Sequence, residues 1–150
     1  LVMRKLPLAG GGVVHAQIAG MRATVTRLMK EATPAFGSTT SRLRDAIESL
    51  DRATSFMAKE MSANVPDNAL AGATPYLRLF GFVQGGVALA EASLAANAMM
   101  AAGDDNPAHR ARIALCRFFA ENLVVSARGL EESILGGAGF VSDAALALAS

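Results

Sequence analysis

The chain has 150 residues, of which 52% are hydrophobic, 18% charged and 5% aromatic, with no tryptophan. This length fits one domain with a substantial core, which the abundance of alanine and glycine requires to be built from small side chains at close backbone distances. A net charge of +1 excludes the strongly basic surface of a nucleic-acid binder, and a single cysteine, Cys116, excludes an internal disulfide and suits a reducing, cytoplasmic setting.

The opening "LVMRKLPLAGGG" has a basic pair but no apolar run behind it, so it does not read as a secretory signal. "GGGVVH" at 10–15 offers glycine amides near a helix start, where an anion can bind. Without a GxGxxG pattern or a preceding strand, a hinge into the first helix is the simpler reading. From there Val14, Ile18, Met21, Val25 and Leu28 step by four and three, one apolar stripe of an amphipathic helix. Pro34 and Gly37 end it. A second stripe runs through Leu43, Ile47, Leu50, Thr54, Met57 and Met61, with Arg44, Asp45, Glu48 and Arg52 on other faces, and "NVPDNALAG" closes it.

Thr74-Pro75 announces a third helix, with threonine at the N-cap and proline at the first helical position, where no hydrogen bond is lost. Its stripe is Tyr76, Phe80, Val83, Val87, Ala90 and Leu94. "GDDNPAH" breaks the chain again. Asn106 then caps a fourth helix that starts at Pro107, with Asp104 and Asp105 near the positive end of its dipole. Its stripe is Ile113, Cys116, Ala120, Leu123, Ala127, Leu130 and Ile134, and Gly136-Gly137 ends it. Residues 138–150 are left as a short tail. No segment alternates like a strand. The expected fold is all-α: an antiparallel four-helix bundle with a short C-terminal tail.

The third helix carries glycines where helical propensity disfavours them, each at a cost of roughly 1 kcal/mol. Gly81 and Gly85 form a GxxxG pair, which in a membrane would favour helix association. Arg78, Gln84, Glu91 and Asn97 recur along the same stretch, each costly in hydrocarbon, so no transmembrane segment is expected. A flat ligand beside the glycines is a second possibility. Close helix packing at Gly81, Gly85 and Gly86 is the reading adopted. Arg78 is expected either in a pair with Glu121 of the fourth helix or facing solvent with only its stem packed.

Catalytic, cofactor-binding and metal-binding residues are not evident. A carboxylate-bridged metal pair in a bundle needs Glu-x-x-His motifs, and neither His15 nor His109 has a glutamate at that spacing. There is no Cys/His cluster for zinc. Cys116 sits mid-stripe among apolar neighbours and reads as a small buried hydrophobe. His15 and His109, both near helix starts, are expected to be solvated. Arg110, Arg112 and Arg117 lie within two turns and raise a phosphate site for coenzyme A, against which a solvated helix start is the simpler account.

Three stretches carry a resemblance: "LVMRKLPLAGGGVVHAQIAGMRATV", "LAGATPYLRLFGFVQGGVALAEASLAA" and "ARIALCRFFAENLVVSARGLEESILGG". Together they resemble the acetyl-CoA-dehydrogenase-like C-terminal domain found at the end of certain bacterial acyl-CoA dehydrogenases. The order of Arg78, Arg117 and Glu121 among common residues is the more specific part. The resemblance implies that residues 1–10 are the end of a preceding catalytic-domain helix and its linker, and that residues 1–150 form one helical C-terminal accessory domain. It also implies a parent flavoenzyme that oxidises an acyl-CoA thioester with FAD as hydride acceptor. The family's catalytic glutamate and flavin-contacting segment lie upstream of the matched region, so neither can be carried over. The expected role is non-catalytic: supporting subunit packing in a homo-oligomeric parent, docked on its catalytic domain, or covering its acyl-CoA end. The alternative is a free-standing module that forms a homodimer through the glycine-lined face of the third helix.

Overall fold

The computed structural model describes residues 2–7, 11–62, 67–139 and 148. In chain order the helices are α1 (Val2–Lys5), α2 (Gly12–Glu31), α3 (Thr39–Met61), α4 (Asp67–Ala101), α5 (Pro107–Asn122) and α6 (Ala127–Leu135), with 3-10 turns at Pro34–Phe36 and Val124–Ser126. No strand occurs among the described residues. α2, α3, α4 and the α5–α6 pair are the four rods of an antiparallel all-α bundle, with α4 packed against each of the other three. Of the expected tail, residues 140–147, 149 and 150 lie outside the described residues, as do 8–10 of the expected linker.

The apolar stripes meet along one core. α2 contributes Ile18, Met21, Val25 and Leu28, and α3 contributes Leu43, Ile47, Leu50 and Met57, all essentially inaccessible. Burying side chains of this size stabilises the fold by about 1.5–3 kcal/mol each. Thr54 and Tyr76 place hydroxyls in the same core, and these satisfy each other at 2.9 Å while Thr54 also donates to the Leu50 carbonyl. On α4, Leu79 takes the core position expected for Phe80, which is only partly buried.

The third helix begins at Asp67, not at Thr74: α4 runs 35 residues straight through Pro75. Pro75 has no N–H to give to the preceding turn, so that turn is held by tertiary contact instead. Ala69 and Gly72 are buried. A Cβ on Gly72 would lie 2.9 Å from Met57 Sδ and 3.4 Å from Ile134 Cγ2. Asn68 donates to Glu60 at 2.7 Å and accepts from the Ala138 amide at 2.9 Å.

The expected fourth helix is interrupted. It ends at Asn122, and the Val124–Ser126 3-10 turn intervenes before α6. The tighter turn shifts the buried register by one residue, so Val124 enters the core where Leu123 was expected and Leu123 is exposed. Two successive β-branched valines, poor helix formers, mark the break. Asn106 caps α5 by accepting from the Ala108 amide at 3.0 Å. His109 is not solvated as expected: its ring is buried, and Nε2 lies 2.8 Å from Asp104 Oδ2. It stands four and seven residues before Ile113 and Cys116, on the core stripe of its own helix. His15 is exposed, with Nδ1 3.6 Å from Asp51.

Candidate functional site

The Arg78–Glu121 pair is not formed. Arg78 is exposed and makes no ion pair among the described residues. Glu121 faces the Pro34–Phe36 turn rather than α4. Its carboxylate accepts from the Ser38 amide at 3.0 Å, from the Ser38 hydroxyl at 2.9 Å and from Arg117 Nε at 3.0 Å. These donors hold Glu121 down at about 2, with the Ser38 amide contributing most. The turn fits only because Gly37 has φ +53; a Cβ there would meet Arg117 Nε and Glu121 Oε1, both at 2.5 Å. The i,i+4 spacing of Arg117 and Glu121 was the available sequence signal for this pair. Ser38 and Gly37 carried none, because their role depends on where the turn meets α5.

The three glycines also separate. Gly86 is buried, and a Cβ on it would come within 2.6 Å of Leu43 Cδ2 and 3.2 Å of Val124 Cγ2; at Gly85 the nearest atom is Phe119 Cζ at 3.2 Å. Gly81 is exposed with open space beside it, so it does not belong to the packing face. On a helix, residues 81 and 86 lie about 140° apart, so they cannot share one contact. Gly72, not singled out in the sequence, shares the close packing. The surface at Gly85 and Gly86 is consumed inside the bundle and is not free to pair with a second chain. α4 is long and apolar enough by length and composition to cross a membrane, but its apolar side is the centre of the bundle.

Charged side chains tie the rods together. Arg22 of α2 donates to both carboxylate oxygens of Glu48, each at 2.9 Å, and to Asp51 at 2.8 Å, all on α3. The bond from Arg22 holds Glu48 below the ordinary carboxylate range. Arg52 of α3 reaches the buried Glu131 of α6 at 2.8 Å and lowers that carboxyl likewise. Thr24 donates to Glu91 at 2.8 Å and Gln17 to Gln84 at 2.7 Å, linking α2 to α4. Each pair joins two helices and so fixes their register.

Cys116 is buried and burial pushes its thiol up, opposite to what a thiolate nucleophile needs. Among the described residues no three His, Cys, Asp or Glu side chains gather as metal ligands. Two of the depressions on the surface bear on a ligand or docking role. One, of about 230 Å³, is an apolar groove where α1, the start of α2 and α4 meet, lined chiefly by Leu6, Val13, Val14, Leu77 and Phe80. The other, of about 650 Å³, lies between the Pro34–Phe36 turn, the end of α4 and α5; Met100, Ile113 and Phe118 line it, with Asn97, Arg110 and Arg117 among its polar groups. Of the three arginines considered for a phosphate, Arg112 is absent from this cleft and Arg117 is occupied by Glu121. A flavin ring does not fit either: the space beside Gly85 and Gly86 is filled by Phe119, Leu43 and Val124.

The geometry is that of a cross-braced bundle with an apolar groove at its N-terminal corner. No curated protein matches the chain in sequence. A family model described as acetyl-CoA dehydrogenase C-terminal like matches residues 17–145, spanning α2 through α6 and hence every rod of the bundle. The chain is a member of the acetyl-CoA dehydrogenase C-terminal-like family of helical domains.

Proposed function

We propose that this chain is the non-catalytic accessory domain of a FAD-dependent, cytoplasmic acyl-CoA dehydrogenase, and that it supports packing within that enzyme by docking on its catalytic domain. FAD and the base that takes the substrate proton belong to the catalytic domain. The observation that carries the reading is the apolar groove at the N-terminal corner. Val13 and Leu77 are exposed there to 57% and 42%, around the α1 segment through which the chain enters the bundle. An exposed apolar patch beside a domain junction favours a covering surface.

Isolation of the native polypeptide with an antibody raised against this chain tests the reading. The expected product is a longer polypeptide with bound flavin and acyl-CoA-dependent reduction of an electron acceptor. A colourless native product of 150 residues without that activity contradicts it.

A further inference from the structure

The cleft between the Pro34–Phe36 turn, the end of α4 and α5 is mixed in character. Along α5 its wall is the row Arg110, Ala114, Arg117 and Glu121, spaced by four, three and four residues and so on one face of the helix. Beneath that row Ile113 is buried and Met100 half-buried, while Phe118 stands at the rim, 58% exposed. At about 650 Å³ the cleft has the size of a small-molecule site, and it combines an apolar lining with a few polar groups, as such sites do.

The charges around it are not equally engaged. Glu121 takes Arg117 and is held by Ser38 as well. Glu31 lies 3.5 Å from Arg27. Arg110 makes no ion pair among the described residues. Asn97 gives one amide hydrogen to the Glu31 carbonyl at 3.2 Å and has a second to donate. One unengaged guanidinium and one amide donor beside an apolar lining recognise a single negative charge at the end of an apolar body.

We propose that this cleft binds a monocarboxylate with a slim alkyl chain, its head on Arg110 and Asn97 and its tail along Ile113 and Ala114 toward Phe118. From Arg110 to Phe118 is about 12 Å along α5, the reach of a medium-length chain. An extended peptide fits less well: α4 and α5 bond their own backbones, so a peptide laid over Ile113 and Phe118 would leave its amides without partners. A doubly charged phosphate would call for a second cation, and Arg117 is already taken. The cleft shares no residue with the N-terminal groove, so the site does not depend on the docking role given to that groove.

Titration calorimetry of the chain with sodium decanoate, kept below the concentration at which it forms micelles, tests the proposal. One molecule is expected to bind per chain. Acetate, which has the charge without the chain, and decanol, which has the chain without the charge, are each expected to bind at least tenfold more weakly. Arg110→Gln is expected to weaken decanoate about tenfold, the loss of one charge-assisted hydrogen bond, and Arg110→Lys to recover part of that. Ala114→Phe fills the cleft from an exposed position and is expected to abolish binding with the thermal midpoint unchanged, whereas Leu77→Asp in the other groove leaves binding intact. No heat with decanoate, equal affinity for decanol, or binding untouched by Arg110→Gln or Ala114→Phe overturns the site.

Discussion

Glu121 is the side chain on which the α5 end of the bundle turns, and its role has a pH signature. Its folded value, about 2, lies below the ordinary 4.5, and Glu48 and Glu131 are shifted in the same direction. Stability from these carboxylates is present above the unfolded value and lost as pH falls through the folded ones. The thermal midpoint is therefore expected to hold steady near neutrality and to fall below about pH 4.5. Glu121→Gln, which cannot ionise, is expected to lie below the unmodified chain at pH 6 and to converge on it near pH 2.5; parallel curves at all pH values would remove Glu121 from the acid response. The glycines make a second residue-scale test. Gly81→Ala gains helix propensity, up to about 1 kcal/mol, with nothing in its way. Gly86→Ala has the same gain but drives a methyl into the packed Leu43 and Val124, an overpacking cost of about 1–3 kcal/mol. Urea unfolding is expected to give opposite signs for the two, and equal signs would refute the close packing at Gly86. From the sequence, glycine spacing marked a packed face, but Gly81, Gly85 and Gly86 were indistinguishable until the facing side chains were known. The Arg78–Glu121 pairing failed for the same reason: a helix wheel gives a direction on one helix, not what the turn at 34–38 puts opposite it.

At the scale of elements, α2 and α3 were legible because each has one stripe of large apolar residues bounded by Pro and Gly signals. The start of α4 was not, because Thr74-Pro75 is a strong local start signal that tertiary contact overrides: Gly72 holds the turn ahead of it against Met57 and Ile134, and Ala69 is buried in the same turn. Pro75 thus sits in a helix interior, where proline costs about 3 kcal/mol relative to alanine. Pro75→Ala restores a donor to that turn, and the thermal midpoint is expected to rise, by an amount equivalent to about 1–3 kcal/mol. A fall would mean that the residues before Pro75 are not helical in solution. The break between α5 and α6 was hidden because the stripe through residues 113–134 continues across it with only a one-residue shift, from Leu123 to Val124.

For the whole molecule, the family and the all-α bundle could be read from the chain, whereas the N-terminal groove could not, since it forms only when α1, α2 and α4 meet. Leu77→Asp probes that groove. Because Leu77 is already partly exposed, the isolated chain is expected to keep its unfolding free energy within about 0.5 kcal/mol, while the intact enzyme loses stability; equal responses would place the docking surface elsewhere. The central claim is that small residues let four rods close into one cooperative core, and the chain carries its own reporter for it. Tyr76 is the single tyrosine of a chain without tryptophan, and its hydroxyl is buried against Thr54 between α3 and α4. Denaturant unfolding followed at once by helical circular dichroism and by Tyr76 fluorescence is the most direct measurement. Coincident transitions are predicted, as two-state unfolding requires; loss of the Tyr76 signal well before the helices melt would show loosely associated rods and contradict the account.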